Sequence, residues 1–466
     1  MLLEEFPNAR IVRSTWLDSR GRRFDCGPYM SGARESRAAI GSLPVPKQAL
    51  EELTLPGGLY KGKMIRRLFV DDANSGYRFL TTSGMLQADL RDEPFIAKKI
   101  ADADPACLIT QGQILVSAAG AIGRMAFVDE HMEGMFACGD ILKVSVNKEK
   151  VSSAYVYAFL GSKYGMPLVI EGTYGAIIPH LNSEHLAEIS IPRFSQHLEA
   201  EIASLVLQAS KNRSKASQLL DEVSLAFESG LPNDLKSSKS LDLNVVGSSL
   251  LQKRMDAPFH SRDAALVRDY LKRREYLSVR QFCSEIFLPG IFKRIHTEAS
   301  ESSAPYYNGG ALFWAEPEPK AYLSRKTSLF NQVELKRGMV LVQAFGQEGG
   351  LTGKPVWVGR FLNGATTTHM LVRLICEDIE DSAYLFGFLS CQAAYRQIRV
   401  LPYGGSIPHF DENGIGDVIV PIFGKALRSE IGRKVLLACD LRDEAIELDR
   451  RARAMVEAAV QGYANE

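Results

Sequence analysis

The sequence predicts an α+β protein built twice: two tandem mixed α/β domains, each followed by a long heptad helix, with the two helices pairing as an antiparallel coiled coil. Three observations predict this. The stretch SSAYVYAFLGSKYGMPLVIEGTYGAIIPHLNSEHLAEISIPRF (152–194) returns without a gap as DSAYLFGFLSCQAAYRQIRVLPYGGSIPHFDENGIGDVIVPIF (381–423). A β-like run ending in a glycine-rich turn precedes each copy, and a run of apolar and small residues in steps of four and three follows each. A repeat of this length is one unit used twice.

The chain of 466 residues is too long for one ordinary core, and two domains of about 200 residues each fit it. Apolar content of 46% with 24% charge is a globular composition. No apolar run approaches the roughly 18 residues of a membrane span, and MLLEEFPNAR opens with acidic residues where a signal peptide carries basic ones. A cytoplasmic protein without membrane contact is expected. The seven cysteines are scattered and form no C-x-x-C pair, which argues against zinc and against a disulfide framework. Net charge is zero. A nucleic-acid ligand then requires basic residues gathered on one face, or a partner that supplies positive surface.

In chain order, the first domain is expected at 1–195, its helix at 196–229, a Gly-, Pro-, Ser- and Lys-rich linker at 230–248, the second domain at 249–423 and its helix at 424–466. Each half begins with an Arg-x-Asp signature, RRFDCGPY from Arg22 and KRMDAPFH from Lys253, read as a local ion pair fixing a loop. The glycine turns (Gly120 and Gly123, then Gly346 and Gly349) lack the Lys-Ser/Thr and the spacing of a phosphate loop. They are read as hairpins that need positive φ.

Within the repeat, Tyr155 and Phe159 match Tyr384 and Phe388, and share a helix face. Tyr174, Pro179, His180 and Pro192 match Tyr403, Pro408, His409 and Pro421. No nucleophile or carboxylate pair accompanies His180 and His409 in both copies, so they are read as hydrogen-bonded structural histidines. Glu334 and Lys336 form an E-x-K fragment without an upstream Pro-Asp, and are read as strand-edge charge.

The helix seam is expected at Leu198, Ile202, Leu205, Ala209, Ala216, Leu219, Val223 and Ala226. In the second helix it is expected at Leu427, Ile431, Ala438, Leu441, Ala445, Leu448, Ala452, Met455 and Ala459. Asn212 and Lys434 are the polar interruptions.

This order of elements, given twice, resembles the specificity subunit of type I restriction-modification systems, most of all at GQILVSAAGAIGR (112–124) and in the YG-to-IP segments. The resemblance covers nearly the whole chain. It implies two target-recognition domains that each read half of a split double-stranded DNA site, helices that separate them and dock modification (methyltransferase) subunits, and a restriction or translocase partner. A related anti-phage system is a variant of this reading, and a protein-binding scaffold is its rival from another class. No catalytic activity, cofactor or metal is expected, because the chain has no N/D-P-P-Y/F loop and no nuclease constellation. Loop cations are the candidate DNA contacts: Lys61, Lys63, Arg66 and Arg67 in the first copy, and Lys293, Arg294, Arg325 and Lys326 in the second.

Overall fold

The computed structural model describes residues 9–18, 24–175, 179–229, 244–251, 254–347 and 349–464. Arg22, Lys253, Ile178 and most of the expected linker (230–243) lie outside them. The chain divides into two units, Met1–Ser214 with Ala445–Glu466, and Lys215–Glu444. Each unit therefore takes part of both long helices, Gln196–Glu228 and Lys425–Ala464.

The first unit has a four-stranded antiparallel sheet made of β2 (Thr54–Lys61), β6 (Ile114–Ser117), β7 (Met125–Phe127) and β9 (Ile141–Val146), in the order β2-β9-β6-β7. A second sheet, from β3 (Phe69–Val70), β4 (Gly76–Leu80), β5 (Phe95–Ala97) and β8 (Phe136–Ala137), has the order β3-β5-β4-β8. The pair β1 (Lys47–Ala49) and β10 (Ser190–Pro192) completes the set. The second unit repeats this plan strand for strand. Its sheets are β12 (Glu285–Phe287)-β19 (Leu371–Ile375)-β16 (Val340–Gln343)-β17 (Pro355–Trp357), and β13 (His296–Thr297)-β15 (Ala321–Ser324)-β14 (Ser303–Tyr307)-β18 (Thr366–Thr367), with β11 (Tyr276–Ser278) on β20 (Ile419–Pro421). Even the parallel pairing recurs: β4 with β8 and β14 with β18. The duplication thus reaches through segments in which the two sequences share little.

The repeat residues form the core of each unit. The helices Ser153–Gly161 and Ile379–Leu389 are buried on nearly all sides, more than the single face their spacing suggests, because each lies between a sheet and a long helix. The matched tyrosines and prolines prove to be one interaction. Tyr384 Oη donates to the Pro421 carbonyl at 2.6 Å, and Tyr155 Oη donates to that of Pro192. Burial raises both phenols above the ordinary tyrosine value. Tyr384→Phe strands a buried carbonyl and should cost about 1–3 kcal/mol in urea unfolding at neutral pH. The wild type should lose stability as pH climbs above about 10, where the unfolded chain ionises and the native phenol resists, and the variant should lose less.

Two buried cations have no signature in the repeat. Lys143 in β9 and Arg373 in β19 occupy equivalent register positions, opposite Leu115 and Leu341, and both are fully buried. Lys143 Nζ lies 3.3 Å from Cys107 Sγ and 4.8 Å from the Tyr60 ring centroid. Arg373 donates to the carbonyls of Thr368 and Leu371, and burial pushes its guanidinium down to about 9.

The helices pair antiparallel. Arg213 meets Asp449 at 2.7 Å within the first unit, and Glu222 meets Lys434 at 3.2 Å within the second, so one chain rises as the other falls. The seam follows a different phase from the one the spacing predicts. Ile202, Ala209, Ala216 and Val223 keep their places, as do Ile431, Ala438, Ala445 and Ala452, all buried. The alternate positions fall one residue later, at Val206, Leu220 and Phe227, and at Val435, Asp449 and Val456. Leu198, Leu205, Leu441, Leu448 and Met455 are half-buried flanks, while Leu219 remains buried beside Leu220. Leu427 is exposed, and burial begins one turn later at Ile431. The reason is that each helix is covered by its domain as well as by its partner: Phe227, for instance, packs on Tyr384 and Phe388. Asn212 is buried, and Lys434 sits half-exposed between Glu222 and Glu430. Val206→Asp should therefore lower the melting temperature well beyond Leu205→Asp, since a charge on the fully buried position costs several kcal/mol. Equal losses would favour the earlier phase.

Candidate nucleic-acid interface

The second sheet of each unit brings two basic pairs together. In the first unit β3 runs antiparallel to β5, with Phe69 opposite Ile96, and Ala97 N donates to Leu68 O at 2.9 Å. The residues entering β3, Arg66 and Arg67, therefore lie beside those leaving β5, Lys98 and Lys99. In the second unit His296 stands opposite Leu323, and Ser324 N donates to Ile295 O at 2.9 Å. This sets Lys293 and Arg294 beside Arg325 and Lys326.

Side-chain packing follows the same plan. The Arg67 guanidinium lies 5.5 Å from the Phe79 ring centroid, and that of Arg294 lies 5.5 Å from Tyr306; the two rings are equivalent residues of β4 and β14. Lys98 Nζ is 5.6 Å from the Tyr77 centroid, and the Arg325 guanidinium is 5.1 Å from that of Phe330. Such cation–π contacts hold long side chains in place while leaving charge exposed. Arg66, Arg67, Lys99, Lys293, Arg294, Arg325 and Lys326 are exposed, and Lys98 is half-buried. Three residues before each arginine an apolar side chain is exposed, Met64 at 83% and Ile291 at 85%. A basic edge with a protruding apolar side chain has the chemistry of groove contact: cations for phosphates and base edges, and an apolar group for a thymine methyl.

Two expected residues stand apart. Lys61 closes β2 and donates to the Leu181 carbonyl at 3.4 Å. Lys63 is exposed, its backbone N held 3.2 Å from Asp104 Oδ2. The equivalent positions in the second unit are Leu288 and Gly290, so this cationic pair belongs to one copy. Lys98 and Lys99 join the cluster although the sequence reading did not single them out. The signals for them were present: MIRRLF (64–69) and IFKRIH (291–296) share an apolar-apolar-basic-Arg-apolar order, and KK at 98–99 answers RK at 325–326.

The other motif residues are structural. Arg254 pairs with Asp256 and donates to the carbonyls of Leu401 and Pro402, a loop clamp. His180 and His409 close the YG loops through backbone bonds to Tyr174 and Tyr403. The His409 ring stacks on Phe345 at 4.9 Å and its Nδ1 lies 3.3 Å from the Ile407 carbonyl, as a hydrogen-bonded structural histidine should, whereas Nδ1 of His180 is buried without a hydrogen-bond partner. The glycine turns are hairpins joining β6 to β7 and β16 to β17, with positive φ at Gly120, Gly123, Gly346 and Gly349. The structural equivalent of Gly123 is Gly353, not Gly349, because both approach the following helix closely: a Cβ would lie 2.8 Å from Ile170 and 3.0 Å from Ile398. Glu334 of the E-x-K fragment pairs with Arg325 at 3.2 Å. Among the described residues no group of His, Cys, Asp and Glu is placed to hold a metal ion, and no helix is long and apolar enough to cross a membrane.

No protein-family model matches the sequence, and no curated protein is similar enough to match it. Among solved structures, the chain is similar to the S subunit of a type I restriction-modification system from M. genitalium, at 13% identity and a TM-score of 0.32 over 90% of this chain and 95% of that one. It is similar also to the HsdS subunit from Thermoanaerobacter tengcongensis, at 13% identity and a TM-score of 0.29 over 90% and 98% of the two chains. A third match comes from work on the complex assembly and conformational transition of the type I R-M system, at 13% identity and a TM-score of 0.27 over 90% and 98%.

Proposed function

We propose that this chain is a non-catalytic, sequence-specific DNA-recognition subunit of the type I specificity kind. Each unit reads one half of a bipartite duplex site, the helix pair sets the spacing, and modification and restriction partners supply the chemistry. The observation that carries this reading is the basic pair-on-pair at one end of the second sheet, rebuilt in both units although the surrounding sequences differ. A surface that solvation alone had shaped would have no reason to keep Arg67 on Phe79 and Arg294 on Tyr306. Differing loop residues around a common cationic frame suit readers of two different half-sites, with phosphate contacts for position and base contacts for sequence. A net charge of zero fits a subunit whose partners add positive surface.

The test is selection from randomised duplexes with the purified chain and, separately, with candidate methyltransferase partners. A split motif with a constant spacer supports the reading, and replacing the first domain by that of a relative should change one half of the motif only. No measurable affinity for duplex DNA would favour the protein-binding scaffold. Cleavage with magnesium or methylation with S-adenosylmethionine, abolished by one substitution in this chain, would overturn the non-catalytic assignment.

The helix of 33 residues is about 50 Å long at roughly 1.5 Å per residue, against roughly 34 Å for a turn of duplex. Adding about four residues, one turn or roughly 6 Å, after Ser214 and a matched four next to Asp449 preserves the pairing marked by Arg213. The expected spacer is longer by one or two base pairs, at about 3.4 Å each. A folded paired variant with an unchanged spacer would show that the helices do not set the distance.

A further inference from the structure

The duplication supplies an internal comparison that exposes a second site, independent of the DNA reading. In the first unit Arg37, on the helix Ala33–Ser42, is held by Glu171, whose side chain is almost fully buried. The equivalent helix in the second unit is Arg262–Leu271: its buried residues Ala264, Val267 and Leu271 match Ala33, Ser36 and Ile40, which places Arg268 where Arg37 stands. Counting back from the matched Tyr174 and Tyr403, the position of Glu171 is taken by Val400. The helix caps give the next equivalence. Asn182 accepts from His185 N at 3.2 Å and Asp411 from Gly414 N at 2.9 Å, so His185, whose ring packs in the first unit against the Leu168 carbonyl, is replaced by Gly414.

Gly414 leaves open in the second unit the space that the His185 ring takes in the first. The small cleft of about 320 Å3 beside Arg37 and His185 becomes one of about 810 Å3 beside Arg268 and Gly414, within the range of small-molecule sites. Among the described residues no carboxylate pairs with Arg268 as Glu171 pairs with Arg37. Among the described residues the hydrogen bond of Arg268 runs from Nε to the Ala264 carbonyl at 3.1 Å, and burial depresses its guanidinium with only Asp269 opposing. Asp269, Asp411 and Asp417 also line the cleft; Oδ1 of Asp411 accepts from the amides of Asn413 and Gly414. Ser261 lines the same cleft, and its Oγ is buried without a partner. Phe259 and Phe410 add apolar wall. Among the described residues no carboxylate hydrogen-bonds this half-buried guanidinium, and with an unsatisfied hydroxyl in the same cleft it leaves room for an anion from outside.

We propose that this cleft binds a small organic acid with an apolar body, its carboxylate taking on Arg268 the place that Glu171 takes on Arg37. Planar carboxylate suits the guanidinium fork, and the phenylalanines take the body.

The test follows 4-fluorobenzoate by fluorine NMR in the presence of the full chain. Line broadening that unlabelled benzoate reverses is expected for the wild type, with no broadening of 4-fluorobenzyl alcohol. Val400→Glu, which restores the internal carboxylate, and Arg268→Gln should each weaken binding by about tenfold or more, and Gly414→His should reduce it by filling the cleft. Circular dichroism identifies the variants that remain folded, and three routes to the same loss keep the test decisive. Absence of broadening in the wild type, equal binding of the alcohol, better competition by inorganic phosphate than by benzoate, or undiminished binding in folded Val400→Glu would each overturn the proposal.

Discussion

Replacing Lys293, Arg294, Arg325 and Lys326 by alanine should lower the slope of log affinity against log salt by up to about four, roughly one unit for each phosphate no longer neutralised, and weaken duplex binding by roughly a hundredfold or more near 100 mM salt. All four side chains are exposed, so folding should be unaffected. Arg325 also pairs with Glu334 at 3.2 Å, but an exposed ion pair is worth little to stability. The matching change at Arg66, Arg67, Lys98 and Lys99 should have an effect of the same kind, and salt titrations of both variants by fluorescence anisotropy would measure it. If each set contacts its own half-site, mutating the half-site assigned to one unit should make the cations of that unit matter less. An unchanged slope in both variants would remove the basic pairs from the interface.

Arg213→Ala should cost about 3–5 kcal/mol, the largest single effect on stability expected here, because it takes the counter-charge from a buried carboxylate. Asp449 has a side chain only 1% exposed and faces Arg213 at 2.7 Å. Asp449→Asn in the same background should recover part of the loss, because the amide has no charge to strand, whereas a simple packing defect at Arg213 would not respond to it. Chemical unfolding of the wild type and the two variants separates the two causes. The double variant as unstable as Arg213→Ala would show that the ion pair does not hold this part of the helix pair.

These outcomes bear on residues that differ in how far they can be read from sequence. The repeat, the hairpin glycines, the helix existence and the heptad character were legible, because each depends on a local period or on a backbone conformation that one residue type favours. The seam phase was not. Leucines occupy both candidate columns, Leu205 and Leu219 in one, Leu220 in the other, and only the cover supplied by the rest of each unit decides which column is deeper. Lys98 and Lys99 escaped for a related reason: an exposed Lys pair has no local signature, and what distinguishes this one is that the β3–β5 register sets it beside Arg66 and Arg67. The burial of Lys143 and Arg373 has no local signature either, since a basic residue in a strand reads as a solvent-facing position.

By itself the sequence determined that a unit is used twice and where its turns must bend, since periodicity and steric preference act over a few residues and survive duplication. Only the tertiary structure decided what each copy does with its charged groups. Strand register gathers cations from segments some thirty residues apart, and helix packing puts Asp449 opposite Arg213. Glu171 in one unit and Val400 in the other make the equivalent arginine a partner of a buried carboxylate in the first and, among the described residues, leave it without one in the second. Electrostatics acts through space, so a side chain's partner is set by the fold and cannot be found along the chain.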